Sequence, residues 1–139
     1  MKVFIDSDVI TSSVISQAGA AHFLLTKNLE NFYISNYSKK EIEIVAKRMK
    51  LDSTVLDRRM KLLLQCNLIQ SISIIKNEYS SYVINPNDTH IVAGAKTANA
   101  QFLITYNKKD YNIEQINRDF SILVLSPGEF LQYLRSFKK

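Results

Sequence analysis

Glycine and proline are scarce in this chain, with three and two among 139 residues. Flexible linkers and low-complexity segments need more of both, so no interior domain boundary is expected and no internal repeat is apparent. The single cysteine, Cys66, excludes an internal disulfide, and no Cys/His spacing points to zinc. No stretch approaches the roughly 20 apolar residues that a membrane-spanning helix requires. The opening MKVFIDSDVI meets an acid early and lacks the apolar run and cleavage site of a secretory signal. A reducing cytoplasm is therefore the expected location. A glycine-rich phosphate loop is missing too, and nothing resembles a Ser-His-Asp or Cys-His nucleophile arrangement.

Apolar residues make up 46% and charged residues 22%, the balance of a soluble globular protein. The length suffices for one well-buried core, so a single domain over residues 1–139 is expected. The formal charge of +5 favours a polyanionic partner, because basic side chains release counterions from phosphates. That signal is weak alone and gains weight only from where the acids gather.

Lys2 to Ile5 is short and β-prone, and reads as a buried strand running into a polar turn. Ala20 to Leu25 reads as helical and Phe32 to Ser35 as a second strand. Ser38 is the expected N-cap of the next helix, with Glu41 completing a capping box and Ile42, Val45, Ala46 and Met49 forming its apolar stripe. Another helix is predicted from Ser53 towards Cys66, a β-prone run over Leu68 to Ile75, and a short helix over Glu78 to Val83. The turn NPND ends at Asp88, which is expected to cap a helix rich in small residues. Phe102 to Thr105 and Ile122 to Leu125 are further strands, and Ser126, Pro127 and Glu129 start a C-terminal helix. Strands alternating with helices predict an α/β fold, a three-layer α/β/α sandwich around a mainly parallel sheet.

In such sheets ligands gather at the carboxyl ends of the strands. Asp6 and Asp8 follow the first strand, Glu41 projects from the helix after the second, Asp88 opens a helix, and Asn107 and Asp110 follow a later strand. If those strands are neighbours, four distant segments bring oxygen ligands to one rim. Clustered carboxylates repel one another and suit magnesium or manganese, hard ions that prefer oxygen. The reaction class that follows is metal-assisted hydrolysis of a phosphodiester.

The same residues resemble the motifs of PIN domains, particularly the toxin components of bacterial and archaeal toxin–antitoxin systems. VFIDSDVI resembles the family's first strand and acid, at Asp6. ISNYSKKEIEIV resembles the helix carrying the second acid, at Glu41, and NPNDTHIVAGA the element with the third, at Asp88. FLITYNKKDY resembles the strand ending in Thr-x-Asp/Asn, at Thr105, Asn107, Asp110 and Tyr111. The resemblance covers nearly the whole chain. It implies a PIN-like fold, a Mg2+- or Mn2+-dependent endoribonuclease, a homodimer and a cognate antitoxin that holds the enzyme inactive. Asp6, Glu41, Asp88 and Asp110 are then the catalytic candidates, and Asp6, Asp8, Glu41 and Asp88 the metal ligands. Ser7, Thr105 and Asn107 support them. The family commonly has Asn at the position of Asp8 and Asp at that of Asn107, so Asp8 or Asp110 is expected to replace the missing carboxylate.

Each residue also has a plainer reading as a turn, cap or surface group. His90 is expected to be structural, since two residues beyond Asp88 it points to another helix face. The basic groups Lys47, Arg48 and Lys50, Arg58, Arg59 and Lys61, and Lys108 and Lys109 fit either an RNA backbone or ordinary solvated faces. Tyr37, Tyr79, Tyr82 and Tyr106 fit either base stacking or core edges. Two rival functions stand beside the toxin reading: a housekeeping RNA-processing nuclease, and a PIN-like module that binds RNA or protein without cleaving.

Overall fold

The computed structural model describes residues 1–27 and 30–137. Five parallel strands form one sheet: β1 (Lys2–Ile5), β2 (Asn31–Ser35), β3 (Leu64–Cys66), β4 (Phe102–Ile104) and β5 (Leu123–Leu125), in the order β3-β2-β1-β4-β5. Among the described residues eight α-helices accompany them: α1 (Ser7–Ile15), α2 (Ala20–Thr26), α3 (Asn36–Met49), α4 (Ser53–Lys61), α5 (Ile72–Glu78), α6 (Thr89–Thr97), α7 (Ile113–Phe120) and α8 (Pro127–Ser136). The expected three-layer PIN-like architecture is what the chain adopts, with a sheet that is parallel throughout.

The layers follow from side-chain alternation along the strands. Val3, Ile5, Phe32, Ile34, Phe102 and Ile104 pack on one face, under α1, α2 and α8. Phe4 and Leu103 face the other way and meet Ile75, Ile91, Val92 and Ile116 of α5, α6 and α7. Gly94 permits a close approach there, because a Cβ at that position would run into the Phe4 ring. Among the described residues no single helix is long and apolar enough to cross a membrane. The apolar pair α1 and α2, bent by 99°, passes such a test only jointly, and its Val9, Ile10, Ala21, Leu24 and Leu25 lie in the core while Ile15 and Phe23 are exposed.

Several sequence expectations shift. The polar turn after β1 is helix α1, whose Val9, Ile10 and Val14 are buried. Ser35, not Ser38, caps α3 and accepts a hydrogen bond from the Ser38 backbone N–H. Ser38 is thus the third helical residue, and Glu41 lies beyond any capping box. The helix from Ser53 stops at Lys61, and Leu64–Cys66 pairs with β2 as an edge strand. The β-prone run Leu68 to Ile75 holds no strand; Ser71 caps α5 within it. Ser80–Tyr82 is a 3-10 turn where a short helix was expected. Helix α7 was not foreseen.

The chain winds outward from β1 through β2 to β3, then returns to place β4 on the other side of β1. The winding direction therefore reverses between β1 and β4. In open α/β sheets such a switch point opens a crevice beyond the strand ends, which is where ligands bind.

Candidate functional site

Asp6 is the first residue past β1, and its backbone N–H donates to Ile104 O of β4 at 2.9 Å. It holds the N-cap position of α1, yet its side chain makes no capping hydrogen bond. The carboxylate turns instead into the crevice, where Tyr111 Oη donates to Oδ2 at 2.7 Å and Thr105 Oγ1 donates to the same oxygen at 2.9 Å. Asp6 is 8% exposed. Burial raises its pKa, and the Tyr111 and Thr105 hydrogen bonds only partly oppose that.

Asp8 sits in the first turn of α1 on the same side. Asn107 Nδ2 donates to its Oδ2 at 2.7 Å, and the Tyr106 backbone N–H does so at 3.3 Å. Its Oδ1 is buried with no hydrogen-bond partner among the described residues. Burial and the neighbouring Asp6 charge push Asp8 up to about 7. Asn107, where the family commonly has an acid, is thus the amide that orients Asp8.

Glu41 reaches the centre from α3. Ser7 Oγ donates to Oε1, and His90 Nε2 lies 3.1 Å from Oε2. Burial pushes Glu41 upward, but the hydrogen bonds from His90 and Ser7 outweigh it and hold the carboxyl below its usual range. A carboxylate only accepts, so Nε2 must carry the proton. His90 is 5% exposed, and its Nδ1 has no partner among the described residues. The expectation that His90 points away from the acids is therefore overturned. Asp88 belongs to the 3-10 turn Pro86–Asp88 ahead of α6, so counting helix faces from it misplaces His90. The signal that would have found it is the partnership with Glu41, 49 residues away in sequence.

Asp88 stands at the N-cap position of α6 and makes no side-chain cap. Burial, then the charges of Asp6, Asp110 and Glu41, push it up to about 6. The Asp110 charge, from the 3-10 turn Lys108–Asp110, is among those that raise Asp88. Hydrogen bonds thus join Asp6, Ser7, Asp8, Glu41, Thr105 and Asn107 in one cluster, while Asp88 and Asp110 have no side-chain hydrogen bond to it among the described residues.

The donor set suits a hard divalent cation: carboxylate oxygens, mutually repelling, with one buried Asp8 oxygen unpartnered. In their present rotamers, no three Asp, Glu, His or Cys side chains stand in ion-holding geometry among the described residues. Thr105, Tyr111, Asn107, Ser7 and His90 occupy part of their hydrogen-bonding capacity.

The other candidates separate. Arg59 is buried and donates to His22 Nδ1 at 2.7 Å, which removes it from the basic surface. Lys108 is paired with Glu129 at 2.9 Å. Tyr79 is a core residue, Tyr82 donates to Asp119, and the Tyr106 hydroxyl accepts from the Ala21 N–H. Cys66 lies in β3, not in a helix end.

No protein-family model and no curated protein sequence matches the chain. Solved structures do. It is similar to VapBC2 from Rickettsia felis bound to a DNA fragment from their promoter, at 15% identity over 91% of this chain and 98% of that one (TM-score 0.63). A toxin–antitoxin complex from Klebsiella pneumoniae matches at 19% identity over 90% and 97% (TM-score 0.66). DNA-bound VapBC from Salmonella typhimurium matches at 13% identity over 91% and 98% (TM-score 0.58). The chain thus has a PIN-like α/β fold, shared over about nine-tenths of its length with these three structures.

Proposed function

We propose that residues 1–139 form one PIN-like domain that acts as a metal-dependent endoribonuclease, the toxin component of a toxin–antitoxin pair. What supports this reading is that Asp6, Asp8 and Glu41 meet beside the switch point through Ser7, Thr105 and Asn107, and that the charges of Asp6 and Glu41 help to raise Asp88. Burying so many acids together costs stability unless a cation compensates them. These four residues would hold Mg2+ or Mn2+. When bound, such an ion supplies charge stabilisation at a phosphate oxygen and a more acidic water.

The chain's own groups then set the geometry. Thr105 and Tyr111 fix Asp6, Asn107 and the Tyr106 N–H fix Asp8, and Ser7 and His90 fix Glu41. Asp110 adds negative charge beside Asp88. With Asn107 in place of a family acid, Asp8 is the better substitute carboxylate, because it lies beside Asp6 and keeps a free buried oxygen. A small antitoxin covering the crevice is the regulatory partner this reading implies, and a homodimer its assembly.

Purified protein incubated with mixed-sequence RNA should cleave it with Mg2+ or Mn2+ and not with EDTA. Asp6→Asn and Asp88→Asn should both abolish cleavage. A second reading, a module that holds RNA without cutting it, is favoured by Asn107 and by carboxylates that do not stand in ion-holding geometry. RNA left intact under every metal condition, by folded protein free of inhibitor, would establish that reading. Growth arrest on expression separates a toxin from a housekeeping nuclease.

A further inference from the structure

The two carboxylate oxygens of Asp8 are held unequally. Oδ2 accepts from three consecutive residues at the end of β4: Asn107 Nδ2 at 2.7 Å, the Tyr106 backbone N–H at 3.3 Å and Thr105 Oγ1 at 3.5 Å. Oδ1 is buried with no partner among the described residues. The aim of this carboxylate therefore follows the path of one short stretch, Thr105 to Asn107, as the chain leaves the sheet. Whatever fastens that stretch also aims Asp8.

Thr105 is still tied to the sheet, its N–H donating to Leu125 O at 3.0 Å. Tyr106 is the first residue beyond it, and its N–H is spent on Asp8. Its side chain crosses to α2, where the hydroxyl accepts from the Ala21 N–H at 3.2 Å. That N–H needs an acceptor from outside its helix. First-turn N–H groups have no intrahelical partner, the N-cap residue Gly19 has no side chain to offer one, and Ala21 is 1% exposed, so water does not serve it. The Tyr106 ring is 45% exposed, so core packing is not what this side chain chiefly supplies. We propose that Tyr106 is a positioning residue of the acidic centre. Its hydroxyl, seated on the start of α2, fixes the end of β4 so that the Tyr106 N–H and Asn107 hold Asp8 Oδ2 and leave Oδ1 free for a cation.

The inference rests on the metal-dependent reading of the centre, and its readouts do not depend on cleavage. Y106F removes the hydroxyl alone. Y133F makes the same change on α8, where the ring packs on Phe102 and Phe130. In isotope-labelled, metal-free protein, hydrogen exchange of the Ala21 amide reports the tether, and the chemical shift of the Asn107 side-chain amide reports its bond to Asp8. Calorimetry then gives the Mg2+ affinity, and melting curves confirm that both variants are folded. In Y106F the Ala21 amide should exchange faster and the Asn107 side-chain signals should move. Mg2+ should bind about 3- to 10-fold more weakly, the worth of one neutral hydrogen bond carried through to the ligand. Y133F should match wild type in all three. Faster Ala21 exchange with the Asn107 signals and the Mg2+ affinity unchanged would make the hydroxyl a cap for α2 alone and overturn the proposal. Ala21 exchange equal to wild type would overturn it as well. Wild-type protein that binds no Mg2+ would defeat the reading of the centre, and the Asn107 signals would then decide the tether by themselves: moved in Y106F, it stands; unmoved, it fails.

Discussion

The acidic centre has two halves that treat the same functional group in opposite ways. On the β1–β4 side, Asp6 and Asp8 are buried among neutral donors, and burial pushes both carboxyls up, Asp8 to about 7. On the α3–α6 side, Glu41 faces a histidine and a hydroxyl, and its carboxyl is held low. Asp88, raised to about 6, feels charge from both. With Asp8 near 7 and Asp88 near 6, these two carboxyls hold protons more readily than Glu41 does. Burial alone does not decide the sign; the partner does. A cation reaching the centre would have to displace protons from one half and find a prepared carboxylate in the other.

The largest effect that breaks this comparison is expected at the buried half. Asp6→Asn and Asp8→Asn should each reduce Mg2+ affinity, measured by calorimetry, by more than the roughly 10–100-fold typical of losing a supporting partner. Asp110→Asn should cost far less. Loss in Asp110→Asn with affinity kept in Asp8→Asn would reverse the assignment of the substitute carboxylate.

Next comes the link that holds the other half. His90→Leu removes the donor to Glu41, and Mg2+ affinity should fall about 10–100-fold. His90→Gln keeps an N–H and should recover most of it. Equal affinities in the two variants would reduce His90 to a packing residue.

A smaller effect is the pH dependence of stability in EDTA. Carboxyls raised in the folded state bind more protons there than in the unfolded chain, so stability rises as pH falls from about 8 towards 5. Glu41, held low, contributes in the opposite direction only at lower pH. The melting temperature of metal-free protein should accordingly climb over that window, and Asp8→Asn should flatten the climb. A melting temperature that falls steadily from pH 8 to 5 would contradict the raised values.

The smallest expected change is Tyr111→Phe, which removes one hydrogen bond to Asp6 and should cost about 0.5–1.5 kcal/mol in a denaturant melt. No measurable loss would mean that the bond does not matter to Asp6.

Much of this rim was legible in the sequence because its acids follow strand ends and helix starts, positions that local pattern marks well. β1, β2, β4, β5 and α8 carry β-prone runs or a capping box that tertiary contacts did not override. What escaped depends on distant partners. Helix α1, SDVITSSVI, is rich in β-branched and serine residues and is a helix only because Val9, Ile10 and Val14 are buried under α2 and the sheet. Ile72, Ile74 and Ile75 look like strand residues, yet the Ser71 cap and the burial of Ile75 make them a helix. The strand signal nearest β3 thus fell a few residues beyond it, because Leu64 and Gln65 of β3 are exposed at the sheet edge. His90 was misread for the same reason: its role is defined by Glu41, which no local pattern connects to it.

The central claim is that this crevice is a cation site with protons to release. Calorimetric titration of metal-free protein with Mg2+ at pH 7, in two buffers of different ionisation enthalpy, tests it most directly. Saturable binding with proton release that vanishes in Asp8→Asn is the expected result. Absence of binding, or binding with no protons released, would contradict the account.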